Sequence, residues 1–256
     1  MGVLASGHQR LGPYDFEWAF TDRTDGLSTG AYAEANLGLH VGDDAQVVQD
    51  NRHRAAQQMR VSADRWVTMV QVHGSTVARI KTPPPSAPEA DALVCGEPEI
   101  ALVTQVADCV PILIATSSGD IAAIHAGWRG VVCGVVDATM SELMGGADSG
   151  HMIRAWVGPA ICGGCYEVGE QVRADICAHA SDAWAVTREG TAAADVRAGV
   201  VQQLRAWNVG CEVVGGCTFE NPDLYSYRRE HRTGRQAGMI VRRADASHQR
   251  HMGDHS

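Results

Sequence analysis

Three residues with metal-binding or nucleophilic side chains follow apolar runs of this sequence. His73 ends "VTMVQVHG", Cys109 follows "ALVTQVAD", and His125 ends "DIAAIHAG". Each run has the length and composition of a buried strand and meets a glycine or proline. His73 lies 36 residues before Cys109, and Cys109 lies 16 residues before His125. A different predicted strand therefore supplies each side chain.

Two imidazoles and one thiolate form a good zinc ligand set if the three strands are neighbours. Three protein ligands leave a fourth position open, which is typical of a catalytic site rather than a closed structural one. The alternative for each residue alone is structural, because a buried histidine is usually hydrogen-bonded within the core and a buried cysteine usually behaves as a small apolar residue. Arg129, in "HAGWRG", places a guanidinium near His125 in sequence and favours the site hypothesis.

The elements that must position these residues are predicted as strands that alternate with a few helices. Strands are predicted at "WAFTDR", "RWVTMVQVHG", "TVARI", "DALVC", "ALVTQVA", "PILIAT", "DIAAIHAG", "IRAWVG", "CEVVGG" and "GMIVRR". We expect "RWVTMVQVHG" and "TVARI" to be adjacent, and residues 117–120 to form a hairpin turn.

Helical periodicity predicts four helices. Asp43 or Asp44 can cap a helix that runs to about Met59. The other three helices are a segment around residues 132–143, with apolar residues at i, i+4, i+8 and i+11, and two helices after "IRAWVG". The sum is one α/β or α+β domain with a mixed sheet over residues 1–243. Residues 244–256 lack apolar periodicity and are predicted to be a disordered tail.

Composition restricts the function classes. The chain has 256 residues, of which 45% are hydrophobic and 20% are charged, as in ordinary globular proteins. A formal net charge of −9 argues against nucleic-acid or anionic-membrane partners. No signal peptide or long apolar window is evident, so we predict a cytoplasmic location. Lys81 is the single lysine, and the many arginines suit small oxyanion ligands.

Eight cysteines in a chain of this length, with no secretory signal, are predicted to be reduced thiols or ligands rather than disulfides. Cys162 and Cys165 form the only C-x-x-C motif. A structural zinc would need a second pair at similar spacing, and Cys211 and Cys217 are six residues apart. We therefore expect Cys162 and Cys165 to be loop thiols, with metal binding as the alternative.

Seven ordered motifs carry a family resemblance. They are "FTDRTDGLSTGAYAEANLGLHVGDD", "QVHGSTV", "DALV", "ADCVPILIA", "AAIHAGWRGVV", "VGPAI" with "CYEVG", and "YSYRREHRTGRQAGMI". From about Phe16 to Val241 the chain resembles the YfiH-like family, known as the laccase-domain or polyphenol oxidoreductase family and also described as purine nucleoside phosphorylases. The resemblance implies a layered α/β fold related to cysteine-hydrolase-like toxins. "GPAICGGCYEVG" departs from the "GPAIGP" that is frequent in the family.

The resemblance implies a zinc ion held by His73, Cys109 and His125. It also implies phosphorolysis of adenosine, inosine, guanosine and 5′-methylthioadenosine to a free base and ribose 1-phosphate. A further implied activity is hydrolytic deamination of adenosine to inosine. The expected partners are small molecules.

A mechanistic hypothesis assigns roles to polar residues within the matched motifs. Zinc would lower the pKa of a bound water toward about 7 and supply hydroxide for attack on C6 of adenine. Asp91 is the predicted proton carrier, with Glu167 as a second choice, and a turn-forming role is the alternative for Asp91.

Guanidinium groups are natural bidentate donors to phosphate. Arg23 and Arg129, with Arg228 as a third choice, are the predicted phosphate-binding residues, although each could instead form a structural ion pair. Asn36 is predicted to hydrogen-bond a ribose hydroxyl or a base edge.

Other functions stay open at this point. A copper polyphenol oxidase would need many histidines, commonly as H-x-H, and none of the 11 histidines forms that motif, although Cu²⁺ could occupy the site in place of zinc. The family resemblance also implies, as an alternative, editing of cytoplasmic peptidoglycan precursors, which could use a Cys109 and His125 nucleophile pair. A binding module with a structural zinc is disfavoured by the open coordination position. The preferred purine, the native metal and the oligomeric state are not determined by the sequence.

Overall fold

The computed structural model describes residues 1–145 and 152–244. The strands are β1 (Val3–Leu11), β2 (Tyr14–Thr21), β3 (Trp66–Val67), β4 (Val77–Ile80), β5 (Ala92–Cys95), β6 (Ala101–Val106), β7 (Val110–Thr116), β8 (Ile121–Ala126), β9 (Ile153–Val157), β10 (Trp184–Val186), β11 (Ala192–Ala194), β12 (Gly210–Val213) and β13 (Gln236–Arg242). The helices are α1 (Ala45–Gln58), α2 (Trp128–Cys133), α3 (Val135–Met144), α4 (Glu170–His179), α5 (Val196–Ala206) and α6 (Tyr227–Glu230). The predicted disordered tail, apart from Ala244, lies outside the described residues.

Two mixed sheets form the centre of the fold. The six-stranded sheet has the order β12-β9-β7-β8-β5-β4, and the five-stranded sheet has the order β1-β2-β13-β6-β3. Parallel pairs occur at β4–β5, β9–β12 and β3–β6, and the other pairs in these two sheets are antiparallel. This arrangement confirms the predicted α/β fold class with mixed sheets. The predicted turn at residues 117–120 joins β7 to β8 as an antiparallel hairpin.

The two sheets pack face to face because alternate residues of each strand point to opposite faces. In β7, Leu113 packs between the sheets, whereas Ile112 and Ile114 pack beneath the helices. Trp18 and Trp156 stack across the interface between the sheets, with ring centroids 5.2 Å apart. Helix α1 covers the outer face of the five-stranded sheet, and α2 to α5 cover the outer face of the six-stranded sheet. The result is four layers.

The link between β6 and β7 carries the chain from one sheet to the other. Asp108 in this link has a φ of 93°, a backbone conformation that non-glycine residues rarely adopt. Its carboxylate accepts hydrogen bonds from Thr218 Oγ1 and from the backbone N–H of Arg228, each at 2.6 Å. These contacts hold the unusual conformation, which places Cys109 directly before β7, an inner strand of the six-stranded sheet.

The prediction for "RWVTMVQVHG" is wrong in extent. Only Trp66–Val67 forms a strand, and it pairs with β6 rather than β4, which belongs to the other sheet. Beyond it, the chain is held by hydrogen bonds to residues 88–91, including Val70 N–H to Pro88 O at 2.8 Å. Val70 is 52% exposed, so apolar alternation here does not reflect burial in a sheet.

The predicted helix over residues 132–143 is divided in two. Gly134 has a φ of 78° and ends α2 before α3 begins, which the apolar periodicity does not show. Helix α1 is confirmed, with the Asp44 carboxylate capping the N–H groups of Gln46 and Val47. Strand β1 was not predicted because it is a half-exposed edge strand with little apolar alternation.

No helix in the described ranges combines the length and apolarity needed to cross a membrane.

Trp156 is 1% exposed, so Trp156→Ala should leave a cavity between the sheets and lower the free energy of unfolding by about 3–5 kcal/mol. Trp184 is 59% exposed and provides the control. Trp184→Ala should change the free energy of unfolding by less than about 1 kcal/mol. Equilibrium unfolding in urea measures both. Equal effects of the two substitutions would contradict the assignment of Trp156 to the inter-sheet core.

Candidate metal centre and its cavity

The structure brings His73, Cys109 and His125 together. Their nitrogen and sulfur ligand atoms all lie within 4.8 Å of one another. Cys109 Sγ lies 3.9 Å from His73 Nε2, and the two imidazole rings are nearly perpendicular, with centroids 4.7 Å apart. The spacing is that of donors arranged around one metal ion.

A different element supplies each of the three side chains. His125 lies on β8 and is buried, Cys109 follows the link between the sheets, and His73 lies in the loop before β4. His73 has a φ of 62°, which is uncommon for a non-glycine residue. His73 therefore comes from a strained loop, rather than from the end of a strand as expected.

Asp91 connects the two histidines from behind. It is fully buried, and its Oδ1 lies 2.8 Å from His125 Nδ1 and accepts the backbone N–H of His73 at 2.9 Å. Its Oδ2 accepts the N–H of Gly74 at 2.6 Å and that of Val72 at 3.3 Å. A proton on His125 Nδ1 satisfies the carboxylate and leaves Nε2 as the ligand atom.

The electrostatics of these side chains favour a charged pair of Cys109 and His125. Burial alone would raise the pKa of the Cys109 thiol, but the charge of His125 and hydrogen bonds from both histidines lower this pKa to about 6. Burial opposes the charge on His125, whereas the Cys109 thiolate and Asp91 raise its pKa to about 9. Burial likewise opposes ionisation of Asp91, and the hydrogen bonds from His125 and Gly74 lower its pKa below the ordinary value. Cys109 is therefore predisposed to be a thiolate, the form that binds metals.

Gly127 lets the chain pass close to the ligands. A Cβ at this position would lie 2.8 Å from His73 Cδ2 and 3.1 Å from Cys109 Sγ. Any side chain here would displace two of the three ligands, so the glycine of "HAGW" is required by close packing.

The three residues open into a cavity of about 690 Å³, a volume suited to a small ligand. Its polar lining includes His40, Arg52, Arg129, Arg228 and Arg235. Its aromatic lining consists of Trp128, Tyr166 and Tyr227. The Arg129 guanidinium lies over the ring of Trp128, and that of Arg228 over the ring of Tyr166, at 4.7 and 4.8 Å from the centroids.

Of the residues predicted to bind substrate, Arg129 and Arg228 line the cavity, whereas Arg23 and Asn36 do not. Arg23 forms an ion pair with Glu230 at 2.7 Å and stacks on Tyr225. Asn36 is fully buried, and its side-chain oxygen accepts the backbone N–H of Arg235 at 2.9 Å. Both side chains are already occupied by structural contacts.

Asp91 also lies outside the cavity lining, and Glu167 is an exposed loop residue that does not line it either. His40, Arg52 and Arg235 also line the cavity, although they were not predicted from the sequence. His40 and Arg235 lie within the matched motifs "LGLHVGDD" and "RTGRQ", so the motifs themselves were a signal. Arg52 on α1 carries no such signal, because only the fold turns this helical residue toward the cavity.

The donor chemistry fits zinc. Two imidazole nitrogens and a thiolate predisposed to ionise match a three-ligand zinc site, and the buried carboxylate behind His125 is the usual partner of such a histidine. His73 is exposed and faces the cavity, so a ligand there has access to the fourth position.

The fold and the site together define a class of layered α/β proteins with an open histidine and cysteine ligand set at a small-molecule cavity. The chain belongs to the family described as multi-copper polyphenol oxidoreductase laccase, whose model matches residues 17–243. This match confirms the family resemblance inferred from the motifs.

Relatives and solved structures agree with this membership. A Streptomyces coelicolor protein named purine nucleoside phosphorylase is 46% identical over 87% of this chain and 94% of its own length. A Corynebacterium glutamicum protein of the same name is 42% identical over 86% and 92% of the two chains. YlmD from Geobacillus stearothermophilus superposes with a TM-score of 0.81 at 29% identity, covering 92% of this chain and 98% of its own.

Asp91→Asn should weaken zinc binding about 10- to 100-fold, because an amide NH₂ would face N–H donors and release the histidines from their orientation. Competition with a chromophoric chelator measures the affinity. Asp64→Asn, at an exposed position, is the matched control and should leave it unchanged. If Asp91→Asn folded normally by circular dichroism and bound zinc as wild type does, the positioning role would be refuted.

Proposed function

We propose that this chain is a zinc-dependent purine nucleoside phosphorylase that acts on small nucleosides in the cavity. The observation that carries the proposal is the meeting of an open His73, Cys109 and His125 set with four arginines in one cavity of about 690 Å³. The names of the relatives support it. A zinc ion bound there would supply Lewis-acid polarisation of a substrate oxygen or nitrogen.

The arginines provide the phosphate site. Among the described residues, the guanidinium groups of Arg52, Arg129, Arg228 and Arg235 form no ion pair with a carboxylate. Burial lowers the pKa of Arg52 to about 10, so the group stays charged at neutral pH although it is poorly solvated. Charges held this way are stabilised by an anion, and a phosphate dianion has the matching geometry.

The aromatic side chains provide the nucleoside site. Trp128, Tyr166 and Tyr227 offer flat apolar surfaces on which a purine can stack. Burial, and then the nearby Cys109 thiolate, raise the pKa of Tyr166 to about 12, so its hydroxyl stays protonated and can donate a hydrogen bond. The arginines over Trp128 and Tyr166 hold these rings in place.

The reaction that the site would perform is a substitution at the anomeric carbon. A phosphate oxygen forms a bond to C1′, the bond from C1′ to N9 breaks, and the base leaves with the electron pair and takes up a proton. The arginines hold the nucleophile, the aromatic walls hold the base and exclude water, and Asp91 keeps His125 in its ligating orientation. Holding both reactants in register supplies much of the rate enhancement.

Deamination of adenosine at the same site stays a prediction. Asp91, the expected proton carrier, is enclosed behind His125, and Glu167 is not among the lining residues. His40 lines the cavity, and burial followed by the charges of Arg235 and Arg52 lowers its pKa. A neutral imidazole at pH 7 can accept a proton, so we assign the carrier role to His40.

Incubation of the zinc-loaded protein with adenosine should release adenine only when phosphate is present. Arg129→Gln should raise the KM for phosphate about 10- to 150-fold, as expected for the loss of a charged hydrogen bond, with bound zinc unchanged. Arg10→Gln, on edge strand β1, is the matched control. Chromatographic separation of adenine, inosine and hypoxanthine gives the rates. Adenine release that ignores phosphate, or persists in His73→Ala, would refute the proposal.

The geometry favours a second candidate, amide hydrolysis of a peptidoglycan precursor. Cys109, His125 and Asp91 have the order of a nucleophile, a base and an orienting carboxylate, with Asp91 Oδ1 2.8 Å from His125 Nδ1. In this candidate, Cys109 would act as the nucleophile and His125 as its base, rather than as zinc ligands.

Metal removal separates the two candidates. The phosphorylase should lose activity on adenosine after chelation and regain it with Zn²⁺, whereas an amidase of the triad type should hydrolyse a muramyl L-alanine amide without metal. Cys109→Ser should abolish either activity and therefore serves as the shared control. Turnover of the amide by metal-free protein, together with no turnover of adenosine by zinc-loaded protein, would establish the second candidate.

Multi-copper oxidase chemistry is less well supported, despite the family description. Such oxidases need several copper ions and many histidine ligands. Within the described residues, only one group of three or more clustered ligand side chains contains histidine.

A further inference from the structure

A second cluster of metal-binding side chains lies outside the cavity. The ligand atoms of Cys162, Cys165, Cys217 and Glu220 all lie within 4.8 Å of one another. None of the four residues lines the cavity. We propose that they bind a second zinc ion in a closed, four-ligand structural site.

The loop at Cys162 has the turn that a C-x-x-C ligand pair needs. The N–H groups of Cys165 and Tyr166 both donate to Cys162 O at 3.0 Å, which curls the chain around the first thiol. Gly163 is tightly packed, since a Cβ there would lie 2.7 Å from Ala185 Cβ. The loop is thereby fixed with both sulfurs on one side.

The second ligand pair is Cys217-Thr-Phe-Glu220. It has the same two-residue spacing as Cys162 and Cys165, with Glu220 in place of a second cysteine. The expectation from the sequence considered cysteine pairs alone, and a carboxylate is also a zinc ligand. The N–H of Cys162 donates to Cys217 Sγ at 3.3 Å, which joins the two pairs directly.

The spacing and charge suit zinc. A tetrahedral zinc with Zn–S bonds near 2.3 Å separates neighbouring sulfurs by about 3.8 Å, within the limit observed for this cluster. Three thiolates and a carboxylate around Zn²⁺ leave a net charge of −2. Arg188 forms an ion pair with Glu220 and offsets part of that charge. Cys217 is buried and Glu220 is exposed, so a metal can enter from the Glu220 side.

This zinc would fix one wall of the cavity without touching its contents. Cys165 precedes Tyr166, which lines the cavity, and Cys217 precedes Thr218, whose hydroxyl binds the Asp108 carboxylate. A parallel bridge between Ala160 and Cys217 already joins the two segments. The metal would crosslink the segments around Cys165 and Cys217, which are loops beyond this single bridge.

Metal analysis of the reduced, purified protein tests the site. Mass spectrometry of the metal content should give two zinc ions per chain for wild type and one for Cys165→Ala. His73→Ala should also retain one, and the double variant none. Cys133→Ala, at an exposed cysteine outside both clusters, is the matched control and should keep two.

Glu220→Gln is the milder variant, to be used if Cys165→Ala fails to fold. It should lose the second zinc to a chelator at least tenfold faster than wild type does. Cobalt substitution in His73→Ala should give thiolate charge-transfer absorption that Cys165→Ala removes. One zinc per chain in wild type that Cys165→Ala retains and His73→Ala loses would overturn the proposal. A disulfide among these cysteines that persists under reducing purification would also overturn it, and intact-protein mass spectrometry would show it as a mass lower by two hydrogens.

Discussion

One buried carboxylate holds the candidate active centre together. Asp91 is fully buried and accepts hydrogen bonds from the His73 and Gly74 backbone as well as contacting the His125 ring. A buried charge is stable only when its hydrogen-bonding capacity is filled, and here the donors come from both sides of the site. The strained loop at His73 and the ring orientation of His125 therefore share one anchor. Because neither histidine is positioned independently of Asp91, the relative placement of the two imidazoles follows from this single group.

Much of the fold could be predicted because its core strands are continuous apolar runs. Strands β5 to β9 and helix α1 lie where periodicity places them, and the β7–β8 hairpin follows from its turn residues. The two failures have different physical causes. The segment after β3 is apolar but lies at the cavity, and β1 is an edge strand whose polar face meets solvent. Pattern alone does not distinguish apolar residues that line a ligand site from those that fill a core.

The candidate site could be predicted only where its residues follow strands or lie in motifs. His73, Cys109 and His125 were identified by type and spacing, and the structure brings them together. The roles of Arg23 and Asn36 could not be separated from structural roles, because their partners are distant in sequence. Glu230 lies 207 residues from Arg23, and Arg235 lies 199 residues from Asn36. Arg52 was missed for the same reason, since the orientation of α1 against the sheet is a tertiary property. Glu220 was missed because a carboxylate in a loop is common and becomes a ligand only through its neighbours.

Ligand number separates the roles of the two clusters. The first offers three ligand atoms, and one of its residues is exposed to a cavity lined by four arginines that lack carboxylate partners in the described chain, an arrangement suited to a ligand that enters from solvent. The second has four ligands, and the charge left on it meets Arg188 rather than a cavity. A closed sphere has no position for substrate, so its contribution is restricted to holding Tyr166 and Asp108 in place. Thr218, which follows Cys217, donates its hydroxyl to the Asp108 carboxylate, and Asp108 adjoins Cys109. The closed cluster therefore supports the open one through this hydrogen bond.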